Sequence, residues 1–581
     1  MNCPSRTEPE IDPSWNQNPN SMASDLTTRS DLGKMASARR RQDHKLDKVD
    51  QTKIELIPIS DHDGHASSSS CDGPKSSIAK PGETAPASSP PPTCWRKRCN
   101  TATAIATRAA HCTRRPACLS FVGPGFMIAV AYIDPGNYAT DAAAGASYQY
   151  KLLFMILLSN IFAIFLQSLC IKLSSVTGLN LAEMNKAHTP RWLNYVLWLF
   201  GEAAVIATDI AEVIGFAIAL NLLAPAVPLV VGCAISILDV MFILMFYRPD
   251  GGMKMLRVFE GFIMVLVMGV AVCFCYQLSL IHVDEVSEVF RGFLPSSALI
   301  QSQGLYQACG ILGATVMPHS LYLGSGLNQP RLREYDIRHH HYPNPANISH
   351  DEDDSIHLEK YRPSLSAIQH CMKMSIWELG ISLFTFALFI NSAILIVCGA
   401  SLYSVDGADA ADLFQIYDLL QQQVAPAAGT VFAVALLLSG CSAGIVCTMA
   451  GQMISEGQLE WKCKPWLTRL ITRSISILPA ILVAGLLGRD GLSEALVASQ
   501  VALSAILPFV SAPVIYYTCR NKYMTVTTTR RTGSTTTTTT TEVHKVLMRN
   551  SWITAGFAVA IWSVIVIMNV ANLVLVGLGV N

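Results

Sequence analysis

The stretch AYIDPGNYATD, residues 131–141, decides how this chain is read. It closes an apolar run, SFVGPGFMIAV, that has the makings of the first half of a membrane-crossing helix. Asp134, Pro135, Gly136 and Asn137 then arrive together near the middle of the span. Proline removes a backbone donor and its ring clashes with the preceding turn, while glycine permits a non-helical backbone. In hydrocarbon, backbone groups freed in this way are tolerated only where they line a cavity or find partners in the protein. A charged aspartate near mid-bilayer costs about 2.5–3.5 kcal/mol even on the gentler insertion scales. A bound cation would offset that cost.

Composition places the rest of the chain in the same setting. Of 581 residues, 51% are hydrophobic and 14% charged, against about a quarter charged in soluble domains. The apolar residues come in runs of about 20, the length of a transmembrane helix. Eleven spans are expected, at 118–146, 151–175, 193–222, 227–247, 256–280, 302–327, 370–402, 426–453, 467–488, 492–518 and 551–579. The expected fold is therefore an all-α polytopic membrane protein whose eleven-helix domain runs over 118–581. Residues 1–95, rich in Ser, Pro, Asp and Lys, read as a disordered tail, and 96–117 as a basic juxtamembrane segment. Polar loops are expected at 328–369, with HHHYPNPANISHDEDD, and at 519–550, with its run of threonines. No apolar segment opens the chain, so no signal peptide is expected. A net charge of zero gives no reason to expect nucleic acid as a partner. The 17 cysteines lie mostly inside apolar runs and read as small hydrophobes, not as a disulfide framework or a zinc site.

Lysine and arginine set the expected orientation. The basic segment before span one, Lys172, Lys186 and Arg191, YRPDGGMKMLR, WKCKPWLTR and the Thr-rich loop all fall on one side. The opposite loops, HVDEVSEVFRG and YSVDGADAADL, are short or acidic. The N-terminus is thus expected in the cytosol and the C-terminus outside or in a lumen. Asn347 begins a glycosylation sequon that would face the cytosol and stay bare. The membrane, plasma or endosomal/vacuolar, is not readable. The tail and the His-rich loop are expected to serve trafficking or turnover, through trafficking or ubiquitin-ligase adaptors, on composition alone.

A second break lies in span six, in TVMPHSLYLGSG, where Pro318 stands between Met317 and His319. Spans one and six are the first helices of two five-span halves. Interrupted helices at matched places are the best sequence pointer to an inverted-repeat transporter with its site at the midplane. The candidate donors there are chemically mixed: a carboxylate at Asp134, an amide at Asn137, a thioether at Met317, and unwound carbonyls at Ala131 and Ala314. Oxygen alone suits Ca2+ or Mg2+, and added sulfur biases the site toward softer transition metals.

Span three reads GEAAVIATDIAEVIGFAIAL. Asp209 and Glu212 are three apart and share a helix face, with Glu202 two turns before on the same stripe. Ionisable chains inside a membrane are the usual build of a proton relay. Arg473, in LITRSISILPA of span nine, is the natural counter-ion.

AYIDPGNYATD and VMPHSLYLGSG resemble the two signatures of the Nramp family of proton-coupled divalent metal transporters, and the likeness runs from about Phe121 through span eleven. Within it the chain is similar to fungal manganese transporters of the Smf type. The resemblance implies a LeuT-like inverted repeat of five plus five helices with an eleventh appended. It implies metal ligation by Asp134, Asn137, Met317 and the carbonyls of Ala131 and Ala314, joined by Gln500 when the site closes, with Gln167 at a further polar position nearby. It assigns Asp209, Glu212, Glu202 and Arg473 to the proton pathway and His319 to tuning it, and makes Pro135, Gly136 and Pro318 the helix breakers. Mn2+ or Fe2+ would be substrate, protons co-substrate, the bilayer the surroundings, and no cofactor is called for.

Two positions depart from the family pattern. Gly324 stands where many relatives carry a second histidine, and Cys441 replaces the glutamine of a common Gly-Gln-Ser in span eight. Two other functions stay open: a membrane sensor that binds metal without moving it, and a cation-coupled organic-solute symporter of the same fold. An enzyme is not expected, since neither His-Glu-x-x-His, Gly-x-Ser-x-Gly nor a phosphate-cradling Gly-x-x-x-x-Gly-Lys occurs.

Overall fold

The computed structural model describes residues 123–579 apart from 246–252, 284, 343–360, 404, 406, 408–410, 461–464, 487 and 533–539. The expected tail, the basic segment and Asn347 lie outside the described residues. Within them, every expected span is a helix or a pair of half-helices. Eight helices are long and apolar enough to cross a membrane. The remaining three spans are the two broken ones and Leu229–Met245, which has 17 residues.

Span one consists of Pro124–Val130 and Pro135–Tyr148, and span six of Ser302–Thr315 and Pro318–Leu327. Each second half starts on a proline, whose fixed φ suits the first helical position and whose missing N–H is no loss there. The same prolines explain where backbone is set free. A carbonyl in a continuous helix is capped by the N–H four residues on. Pro135 therefore leaves Ala131 without its helical donor, and Pro318 does the same to Ala314. Before the first break the chain tightens, with Ala131, Tyr132 and Ile133 each donating three residues back at 3.0–3.1 Å. Asp134 is then extended (φ −117°, ψ 166°) and its carboxylate caps the second half-helix.

Four spans lie between the two broken ones, so span six runs opposite to span one. This is the five-plus-five LeuT-like architecture, with Trp552–Gly577 as the added eleventh span. At the leading end of span one, Glu378 of span seven accepts from Gly125 N at 3.2 Å and pairs with Arg331 at 2.7 Å. Ser382 donates to Gly125 O at 3.0 Å, so both backbone groups of that glycine are held by span seven. Span seven carries a π-helical turn at Leu383–Ala387, between Ser382 and Asn391.

Two expectations about loops are corrected. The segment 328–369 begins with a helix, Gln329–Arg338, whose Asp336 is buried and accepts from Tyr361 Oη at 2.7 Å and Ser364 N at 2.9 Å. The segment 519–550 holds an antiparallel hairpin, Thr525–Thr532 with Thr540–Leu547, in register Thr525↔Leu547. The first strand opens on Thr525, Val526, Thr527, Thr528 and Thr529, and β-branched side chains favour the extended chain. Short helices at Leu181–His188, Val286–Gly292 and Leu413–Gln423 also stand where connections were expected. No disulfide joins the cysteines among the described residues.

Candidate metal centre

The two breaks meet. Asn137, one turn into the second half of span one, donates its Nδ2 toward Tyr132 O (3.3 Å), Asp134 Oδ1 (2.5 Å) and Ala314 O (3.2 Å). Asp134 and Ala314 thus come to the same atom from opposite halves of the chain. One amide nitrogen with two hydrogens faces three acceptors, so the pocket presents negative potential to whatever sits at its centre. The carbonyls accept and never donate, which fixes the amide with nitrogen on this side. Its oxygen faces the other way, accepting from Asn391 Nδ2 at 3.3 Å and Thr315 Oγ1 at 3.4 Å. For Asn137 to offer oxygen to an ion beside Asp134, its amide must turn over.

The carboxylate of Asp134 is fully buried. It accepts from Gly136 N and Asn137 N, both at 3.1 Å, so local backbone donors orient it. Gln500 of span ten arrives over Gly136: its carboxamide stands where a Cβ on that glycine would be. Its Nε2 donates to Ser499 Oγ at 3.1 Å, while Oε1 is buried with no partner. A buried acceptor left unmatched beside a carboxylate is an arrangement that a cation satisfies. Met317, fully buried, is the N-cap of the second half of span six, three residues beyond Ala314. Ala131 is buried at the corresponding point of span one. The other carbonyls of the first break are accounted for: Tyr132 O accepts from Asn391 Nδ2 at 3.1 Å and Ile133 O from Ser439 Oγ at 2.8 Å.

Gly136 leaves the space that the Gln500 amide fills. For a divalent ion held at this point, Gly136→Ala is expected to push the Gln500 amide away and weaken its binding about tenfold, the low end for losing a supporting contact. Calorimetric titration of the purified chain measures it.

The span-three carboxylates form a second centre. Asp209, Glu212 and Arg473 are all about 1% exposed. Arg473 Nη1 contacts Asp209 Oδ1 closely and lies 3.4 Å from Glu212 Oε2. The Cys447 thiol comes within 4.8 Å of both carboxylates. A guanidinium already supplies the positive charge, so this group reads as an ion-pair cluster and not as a metal site. His319 joins it to the breaks: its Nδ1 lies 3.1 Å from Thr208 Oγ1, one residue before Asp209. Glu202 does not reach the cluster. It accepts from Trp198 Nε1 at 3.2 Å and from Ser455 Oγ, and seven residues of helix put it roughly 10 Å along the axis.

Several residues at these centres went unread in the sequence. Asn391 and Thr315 hold the Asn137 oxygen, Ser439 holds the first break, and Thr208 and Cys447 adjoin the cluster. Asp141 is likewise buried two turns beyond Asp134, with no hydrogen-bond partner for either carboxylate oxygen. The available signal is one or two polar letters in an apolar run, as Asn391 and Ser392 in LFINSAILIV.

Comparison with known proteins adds four findings. The profile of the family described as "Nramp: Natural resistance-associated macrophage protein-like" matches residues 125–548. The manganese transporter SMF1 of Saccharomyces cerevisiae is 49% identical over 498 residues, covering 79% of this chain and 86% of the relative. The iron transporter SMF3 of the same yeast is 50% identical over 408 residues, covering 70% and 83%. Among solved structures, the manganese transporter of Eremococcus coleocola matches with a TM-score of 0.62 at 29% identity, covering 78% of this chain and 86% of the other.

Proposed function

The chain belongs to the Nramp family, and from that premise and the geometry of the two breaks we propose that it is a secondary active transporter importing Mn2+ and Fe2+ into the cytosol by proton symport. The observation that carries the reading is the convergence of Asp134 Oδ1 and Ala314 O on one amide nitrogen. Each break alone would be a kinked helix. Together they bring a carboxylate and the freed Ala314 carbonyl to one buried point, with Met317 capping the half-helix three residues beyond Ala314 and the Gln500 amide lying over Gly136.

Asp134 carries the only formal charge among the proposed donors. Neutral carbonyl, amide and thioether groups complete the shell, and sulfur disfavours the hard ions Ca2+ and Mg2+. Ligation needs a deprotonated carboxylate, so an arriving divalent ion favours loss of any proton there. The freed proton has polar company along His319 and Thr208 to Asp209, where Arg473 stabilises the charged forms of both carboxylates. Acid outside and a negative potential inside would draw both ions inward. In this reading the N-terminus is cytosolic and the protein sits in the plasma membrane or an endosomal or vacuolar membrane.

The test is Mn2+ and Fe2+ uptake into proteoliposomes with an imposed pH gradient. Uptake accelerated by an acidic exterior, with protons entering alongside, supports the proposal. Binding without flux would make the protein a sensor, and indifference to metal would make it a carrier of another solute. Met317→Ala removes the one soft donor. It is expected to lower the Mn2+/Ca2+ uptake ratio by about tenfold, equivalent to ~1.4 kcal/mol of discrimination, read by tracer competition in the same vesicles.

A further inference from the structure

Gln167 of span two is fully buried, and its Nε2 donates toward Ser320 O at 2.8 Å, Ser320 Oγ at 2.9 Å and Tyr132 Oη at 2.9 Å. Tyr132 lies in the first break and Ser320 in the first turn after the second. Their hydroxyls also bond each other at 3.0 Å. The Ser320 carbonyl can only accept, so the nitrogen end of the amide must face this knot. The oxygen end then points away. It is buried with no partner and occupies the place where a Cβ on Gly324 would stand. Gly324 is one helical turn beyond Ser320, on the same face of the half-helix.

We infer that Gln167 is a positioning residue that ties the two breaks together, and that glycine at 324 is the space that lets it do so. The amide carbon and nitrogen of Gln167 lie 3.0 and 3.4 Å from the same notional Cβ. A side chain there cannot be met by shifting the oxygen alone. The whole amide must rotate, and its nitrogen leaves Tyr132 and Ser320. Tyr132 adjoins Ala131, and its carbonyl accepts from Asn137, so loosening it disturbs the backbone that presents the proposed ligands. The departure from the family pattern at Gly324 thus acquires a physical role: the position is filled by a neighbour's amide.

The inference rests on the transport reading for its uptake arm only. In proteoliposomes, Gly324→Ala and Gln167→Ala are each expected to raise the Mn2+ KM about tenfold with a smaller change in kcat. The double variant should be no worse than Gln167→Ala alone, because the side chain that collides is gone. Melting temperatures of the purified full chain should show the same non-additivity, and the double variant remains measurable should Gly324→Ala fail to fold. Wild-type KM in Gly324→Ala, or single effects that multiply in the double variant, would overturn the pairing. An absence of Mn2+ flux in the unmutated protein would sink the transport reading, while the melting cycle would still decide the pairing.

Discussion

Asp134→Asn is expected to lower Mn2+ uptake by about 100-fold or more, more than any other single change in the breaks. The substitution keeps the shape of the side chain and one oxygen to accept from Gly136 N or Asn137 N, which now donate to separate carboxylate oxygens at 3.1 Å each. It removes the one negative charge among the proposed donors. A divalent ion would then leave water for neutral oxygens and a thioether, with nothing to offset its lost hydration. Asp134→Ala should fail equally in transport and also lose the cap, worth about 1 kcal/mol. The two variants together separate charge from architecture. Tracer uptake in vesicles, with melting temperature as the folding control, measures both. An Asn variant that transports at a tenth of the wild-type rate would show that charge at this point is dispensable.

Arg473→Gln carries the second large effect, and it falls on stability as well as coupling. The guanidinium is buried and serves two buried carboxylates. Removing it leaves both without their counter-ion, for which about 3–5 kcal/mol is the usual penalty. The variant should melt earlier, and its uptake should lose acceleration by an acidic exterior. Adding Asp209→Asn and Glu212→Gln removes the uncompensated charges and should recover most of the stability without restoring proton dependence. Melting curves and uptake at matched and opposed pH measure the two halves of this prediction. Stability recovered together with proton dependence would assign the cluster to architecture alone.

What the sequence made legible follows from which signals are local. A proline within an apolar run breaks a helix wherever it lies, so AYIDPGNYATD and TVMPHSLYLGSG could be read without knowing what faced them. Span lengths are likewise local, and the eleven expected spans correspond to the observed helices. The threonine-rich segment, expected as a polar loop, holds a hairpin because the β-branched residues within 525–529 and 540–546 favour an extended chain that pairs with its neighbour. At the centres, Asp209, Glu212 and Arg473 could be matched by charge alone. Asn391, Thr315 and Ser439 could not, because one polar residue in an apolar span carries no period that says which way it faces. Glu202 shows the converse limit: it shares a stripe with Asp209 but is held elsewhere, by Trp198 and Ser455. The orientation of the Asn137 amide is set by the Ala314 carbonyl, 177 residues away in sequence, so no local pattern could report it.

The central claim is that two unwound helix centres jointly hold one divalent ion. Diffraction from crystals soaked in Mn2+, recorded at the manganese absorption edge, tests it most directly. The account predicts one anomalous peak at the meeting of the breaks, within bonding distance of the Asp134 carboxylate, the Met317 sulfur and the Ala131 and Ala314 carbonyls. A peak among Asp209, Glu212 and Cys447 instead, or one bound to the Asp134 side alone with Met317 out of reach, would contradict it.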